Sequence, residues 1–181
     1  MPAPPQNHAS MRGCVHVYTG NGKGKTTAAL GLCLRALGAG LRVYIGQFMK
    51  RGDTSESKAL ACFGDQVTLV PFGTGRFVRG RPSEEDRQAA RQGYASAMAA
   101  LTGGDFHMVV LDESMVALHL GLLTMEEVQT LLDRRPASVE LVLTGRHAPS
   151  DIVARADLVT DMHEVKHYYH SGIPARIGIE K

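Results

Sequence analysis

A nine-residue stretch near the start of the chain restricts what the chain can fold into. Residues 19–27 read TGNGKGKTT and consist of glycine, lysine, threonine and one asparagine. Such small residues let backbone N–H groups turn inward around an anion, and lysine adds positive charge. Gly24, Lys25 and Thr26 supply the second half of the pattern G-x-x-x-x-G-K-[ST], whose first glycine is replaced by Thr19. The stretch therefore predicts a variant phosphate-binding loop.

The residues on either side of this loop agree with the prediction. Residues 14–18 alternate and are rich in β-formers, which predicts a short strand. Residues 28–37 contain one helix breaker, Gly31, and place three leucines on one helical face. Strand, glycine loop and helix in this order are what phosphate binding at a helix N-terminus requires.

The rest of the chain alternates between predicted strands and helices. Further strands are expected at residues 41–49, 66–72, 106–111 and 139–143, with a last strand and an irregular tail within 158–180. Further helices are expected at residues 84–101, 124–132 and 150–156. Loops are expected at residues 50–57 and at 73–86, the second running into the helix that follows. This alternation predicts an α/β fold with a mostly parallel sheet and helices on both faces.

Composition narrows the class of protein. A chain of 181 residues that is 44% hydrophobic and 21% charged fits one globular domain, expected at residues 11–181 after a disordered polar tail at 1–10. A net charge of +2 is too small to indicate nucleic acid as a partner. No apolar run approaches the roughly 20 residues of a membrane span. Three cysteines without metal-ligand spacing fit a reducing cytosol, so we expect a cytoplasmic protein.

Two acidic residues, Asp112 and Glu113, end the apolar run at 106–111. In open α/β sheets ligands bind at the carboxyl ends of strands. A carboxylate there can hold Mg²⁺, with the hydroxyl of Thr26 as another protein ligand. We therefore predict that Thr26, Asp112 and Glu113 bind magnesium, without distinguishing between the two acids. Arg146 follows another predicted strand and is a candidate site residue at the same edge.

The loop at 73–86 carries Arg76, Arg79 and Arg81 around Phe77. It is either a solvated loop or a wall for a second substrate. The residues alone thus indicate a protein that binds a nucleoside triphosphate with magnesium. Most such proteins transfer the γ-phosphoryl group, but no residue stands out as the base or the water-positioning group of that reaction.

The segments TGNGKGKTTAALGLCLRALGAGLRVYIGQFMK, VVLDE, LVLTGRHAP and GIPARIGIE resemble the P-loop branch of the ATP:corrinoid adenosyltransferase family. The likeness covers nearly all of residues 12–180, and the TGNGKGKTT form is far more specific than a generic phosphate loop. The resemblance implies a RecA-like α/β fold and usually a homodimer. It also implies a transferase that moves the 5′-deoxyadenosyl group of ATP, its co-substrate, to the Co(I) of a reduced corrinoid. Triphosphate leaves, and the product belongs to adenosylcobalamin biosynthesis or salvage.

The resemblance also implies site residues. Lys25 is the expected catalytic residue, through its charge on the triphosphate. The expected ATP-binding residues are Gly20, Asn21, Gly22, Lys23, Gly24, Lys25, Thr26 and Thr27. The expected substrate-binding residues are Glu56, Phe77, Arg79 and Arg146. Among these, Phe77 is expected to match a phenylalanine with which some members displace the lower ligand of cob(II)alamin.

The expected partners are a corrinoid and a reductant. The corrinoid is cob(I)alamin, cobinamide or cobyrinic acid a,c-diamide, and the reductant expected from the family is a flavoprotein. Two other functions remain open: a P-loop kinase or ATPase that transfers the γ-phosphoryl group, and a non-catalytic, nucleotide-dependent corrinoid carrier. The products separate them: adenosyl transfer releases triphosphate, the kinase or ATPase releases ADP and phosphate, and the carrier shows no turnover.

Overall fold

The computed structural model describes residues 12–76, 78 and 80–180. The tail predicted at residues 1–10, and the predicted site residues Phe77 and Arg79, lie outside the described residues. The strands in chain order are β1 Val15–Thr19, β2 Val43–Phe48, β3 Val67–Phe72, β4 Met108–Asp112, β5 Glu140–Thr144 and β6 Leu158–Asp161.

The helices in chain order are α1 Lys25–Gly38, α2 Ser55–Leu60, α3 Glu84–Thr102, α4 Ser114–His119, α5 Met125–Arg134 and α6 Ser150–Arg155. Two 3₁₀ segments, Ala61–Gln66 and Tyr168–Ser171, complete the elements of the described residues. Of the helices in these ranges, none is both long and apolar enough to cross a membrane.

The described strands form one six-stranded sheet in the spatial order β3-β2-β4-β5-β1-β6. Each of their pairings is parallel, which confirms the predicted α/β fold with a parallel sheet. In this order β1 lies beside β5, and β5 lies beside β4. The loop after β1 therefore opens at the same carboxyl edge as the acidic end of β4.

The sheet carries a separate hydrophobic core on each face. On one face, Cys33 of α1 and Leu60 of α2 pack with Val43 and Ile45 of β2. On the other face, α3, α5 and α6 bury Leu101, Leu131 and Ile152, among others, against the alternate strand positions. Helices on both faces were predicted and are confirmed. Because the central strands are covered on both sides, their sequences read as continuous apolar runs.

Two helix starts follow the pattern expected from the sequence. The hydroxyl of Ser83 accepts from the Asp86 N–H at 3.2 Å, and Asp86 accepts from the Ser83 N–H at 3.0 Å. The same reciprocal arrangement joins Thr124 and Glu127 at the start of α5. These capping boxes satisfy N–H groups that the first turn of a helix leaves unpaired.

Two short helices were not predicted. The loop expected at residues 50–57 is wrong in its second half, because α2 begins at Ser55, where the hydroxyl of Thr54 accepts from the Ser57 N–H at 3.3 Å. Directly after β4, α4 begins at Ser114. Each of these helices has 6 residues, which gives only a weak helical period in the sequence, although α6, of the same length, was predicted at residues 150–156.

Candidate active site

The loop between β1 and α1 is shaped by glycines that tolerate no side chain. Gly20 and Gly24 have φ angles of 94° and 119°, in the region that favours glycine. A Cβ on Gly20 would lie 2.2 Å from Asp161 Oδ1, and one on Gly22 would lie 2.7 Å from the carbonyl oxygen of Met162. The N–H of Gly22 donates to that same carbonyl at 2.7 Å. The glycines thus fix the loop against the residues that follow β6.

Lys25 is the first residue of α1 and is 7% exposed. Its Nζ donates to the carbonyl oxygens of Gly20 at 2.7 Å and Gly22 at 2.6 Å, which closes the loop. Burial, and then the positive charge of Arg146, lowers the pKa of Lys25. Residues 25–28, which form the first turn of α1, carry no acidic side chain. The N-cap Gly24 supplies no side-chain cap, so the positive end of the helix dipole faces the loop without a negative side chain to offset it, as a polyphosphate site requires.

Lys23, the other lysine of the loop, reaches toward the end of the chain. Its Nζ lies 3.1 Å from the Tyr168 hydroxyl, 3.4 Å from the Ile179 carbonyl oxygen and 3.3 Å from Glu180 Oε1. We name residues 162–180 the C-terminal strap, since they touch the loop near both of their ends. The predicted role of Lys23 in ATP binding stays a prediction.

Asp112 ends β4, and 1% of its surface is exposed. Its Oδ1 accepts from the hydroxyl groups of Thr26 at 2.8 Å and Thr144 at 2.7 Å. Its Oδ2 lies 2.7 Å from Lys50 Nζ and 3.4 Å from Gln47 Nε2. These partners come from the start of α1, the end of β5, and the end of β2 with the turn after it. The carboxyl edge of the sheet thus converges on one buried carboxylate.

Glu113, the next residue, lies in the left-handed region with φ of 59°. Its N–H donates to the Thr144 hydroxyl at 2.9 Å, and its side chain lines the cleft in front of the loop. Burial, and then the negative charge of Asp112, raises the pKa of Glu113. The two acids therefore differ: Asp112 is enclosed by donors, whereas the half-buried Glu113 lines the cleft and would gain from a nearby cation.

The oxygen donors at this edge fit a magnesium ion. A threonine hydroxyl and one or two carboxylates are hard ligands of the kind Mg²⁺ takes in nucleotide sites, with water and phosphate completing the shell. Gln47 is fully buried, and its Oε1 has no hydrogen-bond partner among the described residues. This orphaned acceptor is suited to a water of a metal's hydration shell. The described residues contain no group of three His, Cys, Asp or Glu side chains that could hold a metal.

A cleft of about 800 Å³ lies between the loop, α2 and the C-terminal strap. Its volume falls within the roughly 300–1,000 Å³ typical of small-molecule sites. Of the predicted substrate-binding residues, Glu56 and Arg146 line this cleft, whereas Phe77 and Arg79 are not among the described residues. The predicted ATP-binding residues in its lining are Asn21, Gly22, Lys23, Gly24, Lys25, Thr26 and Thr27.

Sequence reasoning missed three residues of this region. Gln47 is a polar residue inside an apolar strand, and this signal was present in the sequence. Burying a polar group costs free energy unless it has a partner, so its position indicates a specific role. Tyr168 and Glu180 carry no such signal. Their contacts with Lys23 join positions 145 and 157 residues apart, which no local pattern reveals.

Comparison with known proteins finds similarity along nearly the whole chain. Residues 11–180 match the family model described as ATP:corrinoid adenosyltransferase BtuR/CobO/CobP. The corrinoid adenosyltransferase of Pseudomonas aeruginosa is 36% identical over 170 residues, which cover 93% of this chain and 84% of that protein. The corrinoid adenosyltransferase of Escherichia coli strain K12 is also 36% identical, over 93% of this chain and 86% of that protein. Corrinoid adenosyltransferase CobA of Salmonella typhimurium is 35% identical over the same shares of the two chains.

Among solved structures, the RadB recombinase has a similar fold. Its TM-score is 0.50 at 14% sequence identity, covering 85% of this chain and 77% of the recombinase chain. At this identity the likeness shows the fold alone. It confirms the RecA-like architecture that the sequence resemblance implied.

Proposed function

The chain belongs to the ATP:corrinoid adenosyltransferase family, and we propose that it transfers the 5′-deoxyadenosyl group of ATP to the Co(I) of a reduced corrinoid. The observation that carries this proposal is the match over residues 11–180. It includes the TGNGKGKTT loop, in which Lys25 donates to the Gly20 carbonyl oxygen and Thr26 donates to Asp112. Family membership favours this activity, in adenosylcobalamin biosynthesis or salvage, over γ-phosphoryl transfer and over a non-catalytic carrier.

The reaction is a displacement at the ribose C5′ of ATP. A lone pair on Co(I) forms the Co–C5′ bond, and the electrons of the C5′–O5′ bond leave with inorganic triphosphate. Since Co(I) is itself the nucleophile, the protein need not supply a general base. Its task is to hold C5′ in line with the cobalt and to stabilise the negative charge that grows on the triphosphate.

We assign this charge stabilisation to the loop and to Lys25. The ammonium group of Lys25 is buried and is held by the carbonyl oxygens of Gly20 and Gly22. A cation fixed in this way needs no reorganisation during the reaction, which makes it more effective than one in water. Arg146 lines the same cleft and adds positive charge. The proposed ATP-binding residues are Gly20, Asn21, Gly22, Lys23, Gly24, Lys25, Thr26 and Thr27.

We assign the holding of Mg²⁺ to Thr26, Asp112 and Glu113. Bound magnesium would neutralise part of the charge of the triphosphate. Asp112 accepts from the hydroxyl of Thr26 at 2.8 Å and so sets the direction in which that oxygen offers its lone pairs. Glu113 offers a carboxylate from the wall of the cleft. The oxygen ligands of these three residues, together with the orphaned amide oxygen of Gln47, support a site for a hydrated cation.

The family match supports a corrinoid as the acceptor. Glu56 lines the cleft and is assigned to substrate binding with Phe77 and Arg79. The acceptor is cob(I)alamin, cobinamide or cobyrinic acid a,c-diamide, and a flavoprotein is the proposed reductant. A single domain at residues 11–181, a homodimer and a cytoplasmic location complete the proposal.

Analysis of the phosphorus products tests the proposed function. The protein is mixed anaerobically with Mg·ATP and chemically reduced cob(I)alamin, and the mixture is followed by ³¹P NMR. We expect triphosphate to accumulate only when the corrinoid is present. ADP and phosphate formed with or without the corrinoid would contradict the proposal and indicate phosphoryl transfer, and no turnover of ATP would indicate a carrier.

A further inference from the structure

Lys50 forms an ion pair with Asp112 that the reaction as described does not use. Its Nζ lies 2.7 Å from Asp112 Oδ2, and the Asp112 side chain is 2% exposed. The same ammonium group lies 3.8 Å from Glu56 Oε1. The side chain of Lys50 is 27% exposed, so it reaches from the wall of the cleft to the buried acid. It places a positive charge against Asp112, one of the carboxylates assigned to the metal.

The backbone before Lys50 is held in an unfavourable conformation that directs this side chain. Met49 has φ of 58°, in the left-handed region that residues with a Cβ seldom adopt. Its N–H donates to the carbonyl oxygen of Phe72 at 2.8 Å. Gly73 packs against it so closely that a Cβ there would lie 2.4 Å from the Met49 carbonyl carbon. Such strain persists where the surroundings enforce it, and it concentrates at functional sites.

Gln47 lies beside the same two carboxylates that Lys50 approaches. Its Nε2 lies 3.3 Å from Glu56 Oε1 and 3.4 Å from Asp112 Oδ2. Its Oε1 is buried and has no partner within the described part of the chain. Two carboxylates and an amide oxygen without a donor are the surroundings that a hydrated cation needs. Lys50 Nζ lies within 4 Å of both carboxylates.

We propose that Lys50 is an internal counter-ion that occupies the cation position at Asp112 in the nucleotide-free protein and leaves it when metal-bound ATP enters. This inference rests on the metal role proposed above for Asp112. It makes Lys50 a positioning residue that weakens the binding of metal alone, because a bare divalent ion meets an ammonium group on the same carboxylate oxygen. Metal-bound ATP brings the negative charge of its triphosphate, which offers the displaced ammonium group new partners. Metal and nucleotide are therefore expected to bind together.

Binding of Mn²⁺ without nucleotide tests this inference, with free Mn²⁺ measured by its EPR signal. We expect Lys50→Met to bind Mn²⁺ at least about tenfold more tightly than the wild type. Lys50→Arg keeps the positive charge and is expected to bind Mn²⁺ as weakly as the wild type. Lys58→Met is the matched control, because Lys58 lies on the surface of α2 and pairs with the exposed Asp53 at 3.0 Å.

Equal affinity for Mn²⁺ in the wild type, Lys50→Met and Lys58→Met would overturn the inference. If Lys50→Met does not fold, Lys50→Gln is measured with the same expectation, since it keeps a hydrogen-bond donor near Asp112 and loses the charge. Equilibrium dialysis of Mn²⁺ in the presence of ATP tests the proposed metal site separately from the role of Lys50. If Asp112→Asn retains Mn²⁺ with ATP as well as the wild type does, the metal site itself is wrong, and the inference about Lys50 falls with it.

Discussion

Replacing Lys25 with methionine should weaken the stabilisation of the triphosphate without unfolding the protein. The Nζ of Lys25 is held by Gly20 and Gly22 at 2.7 Å and 2.6 Å, and burial lowers the pKa of Lys25. Methionine has a similar length and no charge, so the loop loses its fixed cation while its packing is largely kept. We expect the activity to collapse in a protein that remains folded.

The size of the effect follows from the charge and its surroundings. A unit charge about 4 Å from a phosphate oxygen contributes about 4 kcal/mol at an effective dielectric constant of 20. The loop N–H groups and Arg146 retain part of the stabilisation, so we take about 3 kcal/mol as the net loss in the transition state. This corresponds to a decrease in kcat/KM of roughly 10²-fold. The free energy of unfolding should change little, because removing a buried charge offsets the loss of its two hydrogen bonds.

The assay follows the formation of the Co–C bond by visible spectroscopy, anaerobically, with chemically reduced cob(I)alamin and varied Mg·ATP. Lys58→Met serves as the control, since its side chain is 69% exposed and lies outside the cleft. Thermal unfolding of each variant shows whether the fold is kept. A folded Lys25→Met protein with kcat/KM close to that of the wild type would refute the role given to this lysine.

Three further predictions concern single side chains. Burial raises the pKa of Glu113, so the charged carboxylate destabilises the folded protein at neutral pH. Glu113→Gln should therefore raise the melting temperature of the protein without ligand. The same variant should show a smaller increase in melting temperature when Mg·ATP is added. Although burial acts to raise it, the pKa of Glu140 is held below its ordinary 4.5 by His16 and a backbone N–H. Glu140→Gln should therefore lose about 1–2 kcal/mol at pH 7, and denaturant titrations should show the difference from the wild type shrinking as the pH falls through that lowered pKa. Gly93→Ala should lower the free energy of unfolding, because the added Cβ in α3 would meet a buried aromatic ring at 2.7 Å. Gly31→Ala in α1 is the matched control, since nothing lies within 4 Å of the added Cβ, and it should raise the free energy of unfolding by up to about 1 kcal/mol. Equal effects of the two variants on unfolding would contradict the packing argument.

Much of the fold could be predicted because its signals are local. The strand before the phosphate loop, the apolar run that ends in Asp112 and the capping residues Ser83 and Thr124 each act over a few positions. Central strands covered on both faces show long apolar runs, so β2, β4 and β5 were recognised within about two residues of their observed ends. The six-residue helices α2 and α4 were missed and α6, of the same length, was predicted; six residues do not span two helical turns and give only a weak periodic signal.

The site was predictable where a motif encodes it and hidden where the fold assembles it. Lys25 and Thr26 belong to a contiguous pattern, and Asp112 ends a recognisable strand. The ion pair of Lys50 with Asp112 joins residues 62 positions apart. It depends on an unfavourable turn at Met49 that no residue preference predicts, since methionine seldom adopts a positive φ.

The contacts of the C-terminal strap with the loop could not be predicted from the sequence either. Asp161 and Met162 lie so close to Gly20 and Gly22 that the two segments must fold together. At the far end of the strap, Glu180 contacts Lys23. The glycines of the loop were attributed to phosphate binding, and the structure adds a second reason for them, which is the close approach of the strap.

The destination of the ribose C5′ tests the central claim most directly. ATP labelled with ¹³C at C5′ is incubated anaerobically in the dark with the protein, Mg²⁺ and chemically reduced cob(I)alamin, and the corrinoid is then isolated and examined by ¹³C NMR. The account predicts that the label is bound to cobalt in a light-sensitive product, in an amount equal to the triphosphate released. Label that remains entirely in ATP, ADP or AMP, with the corrinoid unmodified, would contradict it.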